Sequence, residues 1–60
     1  MDPNANYNRQ IEISREIREL EQRKGTSHQI VELGSELAEL VLDLARWIEN
    51  GGFVPKPFER

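Results

Sequence analysis

No cysteine occurs among the 60 residues, which excludes disulfides, thiolate metal ligands and a cysteine nucleophile. Proline is confined to positions 3, 55 and 57, so no proline interrupts a helix between them. No apolar run approaches the roughly 20 residues of a membrane span. The start lacks a basic stretch followed by an apolar one, so no signal peptide is expected and a soluble, cytoplasmic chain is the simplest reading. The basic residues form no one-signed patch either. The net charge is −3, and Arg15, Arg18, Arg23 and Lys24 alternate with Glu16, Glu19 and Glu21, which argues against nucleic acid as a partner.

Small size is itself a constraint. A core below about 70 to 80 residues rarely supplies more than a few kcal/mol without a staple. With disulfides excluded, self-association is the staple that this composition leaves.

What is present is helical periodicity. Asp2-Pro3 reads as an N-cap followed by a first-turn proline, with Asn4 the alternative cap. From there to about Lys24, the residues Tyr7, Ile11, Ile13, Ile17 and Leu20 fall within one half of a helical wheel and charges fill the other half. Arg15 with Glu19, and Glu19 with Arg23, are spaced for ion pairs along the helix. Gly25 stands where a left-handed terminating residue is wanted, and Thr26-Ser27-His28-Gln29 reads as a capping box opening a second helix. A connection this short predicts antiparallel neighbours.

The second helix should run from about 27 to 50. Ile30, Leu33, Leu37, Leu40, Leu44 and Trp47 are spaced three and four apart as an a/d seam, which Val41 and Ile48 widen. A second row of Val31, Gly34, Ala38 and Ala45, with Leu42 at its edge, lies beside it. The first helix is too poor in apolar side chains to cover both rows. The expected fold is therefore an all-α, antiparallel two-helix hairpin over 1–52 that assembles as a homodimeric four-helix bundle. Ile30, Leu33, Gly34, Leu37, Ala38, Leu40, Val41, Leu44, Ala45, Trp47 and Ile48 are its candidate interface.

Asn50-Gly51-Gly52 should end the second helix and let Phe53 fold back beside Trp47. Residues 53–60 are expected as an extended tail near polyproline II, in which Phe53, Val54, Pro55 and Phe58 either cap the helical pair or dock on a partner.

Catalytic constellations are weak. Glu32, Glu36, Glu39 and Asp43 line one side of the second helix, and Glu36-Leu37-Ala38-Glu39 resembles half of the acidic motif of all-α nucleotide pyrophosphohydrolases. That family needs a second acidic pair on another helix, which the first helix does not offer, so a solvated face accounts for the stripe and no metal or cofactor is expected. His28 would need Asp43 for a serine-type triad, four turns away on the same helix.

The two ends of the chain carry a resemblance. Met1-Asp2-Pro3-Asn4 at the start, and Leu37-Ala38-Glu39-Leu40, Trp47-Ile48 and Gly51-Gly52-Phe53-Val54-Pro55 towards the end, are similar to a group of short proteins encoded by phages of actinobacteria. The resemblance covers about a third of the chain. It implies a small accessory protein acting in the host cytoplasm, and it supplies no activity, cofactor or catalytic residue. The expectation is a non-enzymatic interaction module whose partners are itself and a host or phage protein. The alternative is a binder that sequesters a signalling nucleotide between subunits, supported by the arginines of the first helix.

Overall fold

The computed structural model describes residues 1–24 and 27–59. Two helices account for most of it: α1 over Pro3–Gln22 and α2 over Ser27–Glu49, followed by a 3-10 turn at Lys56–Phe58. The expected hairpin is present, and its helices run antiparallel. As α1 ascends from Asn6 to Arg9, its partners on α2 descend from Leu40 to Glu36. The molecule measures 40 × 19 × 13 Å, so it is a single layer of helix in its thinnest direction.

The start of α1 follows the sequence. Asp2 adopts extended backbone angles, and its carboxylate accepts from the amides of Asn4 at 3.0 Å and Ala5 at 3.2 Å, with Pro3 in the first turn. The end does not. Helix α1 stops at Gln22, Arg23 caps it, and Lys24 takes the left-handed conformation with φ of 55°. The Lys24 amide closes onto the Glu21 carbonyl at 3.3 Å. Gly25 and Thr26, and with them the expected terminating glycine and the threonine of the capping box, lie outside the described residues. Of the two ion pairs expected along α1, Glu19 with Arg23 forms, while Arg15 makes none among the described residues.

Helix α2 ends in a Schellman motif. Gly51 has φ of 88°, its amide donates to Ile48 O at 3.0 Å, and the Gly52 amide donates to Trp47 O at 2.9 Å. The chain then turns back, so that Trp47 Nε1 donates to Phe53 O at 2.9 Å and the two rings meet edge to face, centroids 5.7 Å apart. Gly52 is required here for a steric reason: the indole lies against its backbone in the space that a β-carbon would fill.

The tail departs from the extended path expected of it. Pro55 is near polyproline II with φ −56° and ψ 148°, but the chain then tightens into the 3-10 turn, closed by the Phe58 amide on Pro55 O at 2.9 Å. Proline at 57 is already set to a φ suited to that turn. The turn is pinned to the start of α1. The Lys56 amide donates to Asn4 Oδ1 at 2.6 Å, Phe58 meets Tyr7 edge to face at 5.2 Å, and Pro3 and Pro55 are both fully buried. The tail therefore packs within its own chain.

The core is thin. Ile13 is completely buried, whereas among the described residues none on α2 is. Asn6 lies beside the core and is 8% exposed. Its Nδ2 donates across the helix pair to Leu40 O at 2.9 Å, and its Oδ1 accepts from Gln10 Nε2 at 2.7 Å. A buried polar group needs such partners, and these set which turn of α1 faces which turn of α2.

Candidate interaction surface

Helix α2 divides into three longitudinal strips at 100° per residue. The first faces α1. Leu33, Leu37, Leu40, Leu44 and Trp47 of the seam are partly buried there, as is Ile30. Residues of this strip therefore hold the hairpin together before anything else can be asked of them.

The second strip is charged and its groups are mostly occupied. Arg9 reaches across from α1 to Glu36 through two hydrogen bonds, Nε to Oε2 at 2.8 Å and Nη2 to Oε1 at 3.2 Å, while also meeting Glu12. These bonds first, and the charge of Arg9 after them, hold the Glu36 carboxyl below its ordinary value. The Arg9 guanidinium is pushed above its usual range, by the Glu36 bonds and then by the Glu12 bond. His28 Nε2 lies 3.0 Å from Glu32, and Arg46 lies 4.0 Å from Asp43. Among the described residues no three His, Cys, Asp or Glu side chains converge as a metal site. A hollow of about 240 Å³ between the helices is lined by Glu16, Glu32 and Glu36 beside Leu20, Gln29 and Leu33, a lining that repels phosphate.

The third strip is apolar and open. Val31 is 67% exposed, Leu42 61%, Val41 45% and Ile48 40%, and Ala38 and Ala45 are exposed between them. A methyl group placed on Gly34 would meet nothing within 4 Å among the described residues, so none of them requires glycine there. Of the residues expected at an interface between chains, the leucine seam thus lies towards α1, and Gly34, Ala38, Val41, Ala45 and Ile48 lie on the open side. At the end of the molecule, Phe53 and Phe58 remain 60% and 57% exposed although each has a ring partner, while Val54 is partly buried and Pro55 fully so.

Two features here escape sequence periodicity. Asn6 sits among polar neighbours and carries no apolar signal, and the Arg9–Glu36 pair depends on the register between the helices, which spacing along one helix does not encode. Ile11 is partly buried, as are Tyr7, Ile17 and Leu20. It lies at the margin of α1, where with Ser14, Arg15 and Arg18 it lines an open hollow on the outer side.

No family model, no curated protein and no solved structure matches the chain. No helix among the described residues is long and apolar enough to cross a membrane.

Proposed function

We propose that the chain is a non-enzymatic interaction module that works as a homodimer of helical hairpins, an accessory protein of phage type acting on a host or phage protein. The observation that carries this reading is the open apolar strip of α2, with Val31 and Leu42 more than 60% exposed. Contiguous exposed apolar surface marks an interaction site more often than chance. A single-layer hairpin also lacks the second layer that a stable domain packs against its first.

The area supports the same conclusion. A compact monomer of 7.0 kDa exposes about 4,000 Å² by size scaling, whereas this chain exposes 4770 Å². The excess is roughly 700 Å², close to the roughly 800 Å² that each partner buries in a standard interface.

Leu42→Glu tests the reading. On a lone chain this surface change is worth no more than about 0.5 kcal/mol, but at a buried interface it introduces an unpaired charge and costs several kcal/mol. Light scattering should give twice the 7.0 kDa chain mass for the parent protein and the single mass for the variant. Equal masses for the two proteins would contradict it.

A further inference from the structure

The open strip of α2 has a symmetry about its midpoint. Ala38 is the middle residue of the 23 in Ser27–Glu49. Four positions before it stands Gly34 and four after it Leu42; seven before stands Val31 and seven after Ala45; eleven before stands Ser27 and eleven after Glu49. Steps of 4, 7 and 11 all return to within about 40° of the Ala38 direction, so these residues share one side of the helix. Each apolar pair joins a large side chain to a small one.

We propose that two copies of the chain pair α2 against α2 in antiparallel sense, about a two-fold axis beside Ala38. The proposal rests on the self-association above and specifies its geometry. Antiparallel pairing about that axis brings each residue opposite its mirror position. Leu42 then enters the space over the partner's Gly34, Val31 meets the partner's Ala45, and the two Ala38 residues touch. This gives Gly34 a reason that the described residues of its own chain do not, since a methyl group there is unobstructed among them. It also brings the two backbones close, as small residues at a helix crossing allow.

Charge selects the direction. No charged residue interrupts the row between its ends, and the one at its end is Glu49. In the antiparallel arrangement the Glu49 carboxylate lies beside the first turn of the partner's helix at Ser27, the positive end of the helix dipole. A parallel, in-register pair would instead set Glu49 beside the partner's Glu49, at two negative helix ends. It would also press leucine on leucine at 42 and leave a void between glycines at 34. The roughly 700 Å² of excess surface noted above is of the size that such a contact must cover.

Absence of native cysteine makes the geometry directly readable. Helices in such close contact place facing Cα atoms roughly 4 to 6 Å apart, within the span of a disulfide. Ala38→Cys, Val31→Cys and Ala45→Cys would be oxidised mildly, each alone and the last two mixed, with Glu16→Cys on α1 as a collision control. The expected result is a disulfide-linked dimer for Ala38→Cys and for the mixture, at least tenfold faster than for Val31→Cys, Ala45→Cys or the control alone. Comparable cross-linking of all three row variants alone would indicate a parallel pair and overturn the proposal. Dimeric mass under reducing conditions with no Ala38→Cys cross-link would overturn this geometry while leaving self-association intact. Monomeric mass for the reduced variants and the parent alike would overturn both.

Discussion

Replacing Gly52 by alanine should unseat the tryptophan that closes the end of α2. The added methyl group falls in space held by the Trp47 indole, so the ring must rotate away. Two interactions go with it: the 2.9 Å hydrogen bond from Nε1 to Phe53 O, worth about 1 kcal/mol net, and the edge-to-face contact with Phe53, worth about 0.5 to 1.5 kcal/mol. The sum is about 1.5 to 2.5 kcal/mol. For a domain of this size that lowers the melting temperature by roughly 6 to 20 °C at fixed protein concentration. The chain has one tryptophan, so emission reports the same event as a red shift. Phe53→Ala is the control, because it deletes the ring contact but keeps the carbonyl that accepts from Nε1, and it should lose about 1 kcal/mol. An alanine at 52 that leaves both the emission maximum and the melting temperature unchanged would refute the steric reasoning.

Asn6→Ala should cost about 1 to 2 kcal/mol in urea unfolding, since it removes the hydrogen bond to Leu40 O from an 8% exposed site and strands Gln10. Lys24→Gly should raise stability by about 0.5 to 1 kcal/mol, because φ of 55° suits glycine better than lysine; a loss of stability in thermal unfolding would contradict the assignment of the turn. The Arg9–Glu36 pair predicts a pH dependence. Folding holds the Glu36 carboxyl below its ordinary 4.5, so its contribution is present above that pH and is lost as pH falls through the lower, folded value. The difference in melting temperature between the parent protein and Glu36→Gln should therefore close on going from pH 6 to pH 3. Because the pair is 42% exposed on both sides, it should also shrink in high salt.

Local signals in the sequence carried far. The Asp2 cap, the Pro3 start and the Asn50-Gly51-Gly52 stop each depend on residues within one turn of one another, and each is found where the spacing puts it. The hairpin follows from two amphipathic helices and a short connection. What periodicity could not give is the register between the helices. Asn6 and the Arg9–Glu36 pair become meaningful only when α1 is set against α2, because their partners are 34 and 27 residues away. The tail shows a related limit. Pro55 and Pro57 forbid helix but permit both polyproline II and a 3-10 turn, and the choice is made by Asn4 and Tyr7 at the other end of the chain. On α2, the breadth of the apolar surface was legible, and the hairpin assigns its strips: Leu33, Leu37, Leu40 and Leu44 towards α1, with Val31, Ala38, Leu42 and Ala45 left open.

Sedimentation equilibrium with parallel circular dichroism, across a dilution series from high to low micromolar chain concentration, separates a hairpin that needs its second copy from one that stands alone. The protein should be a dimer that dissociates on dilution and loses helicity as it does so, because α2 has no fully buried residue in a single chain. A monomer that keeps its full helicity throughout the series would contradict it.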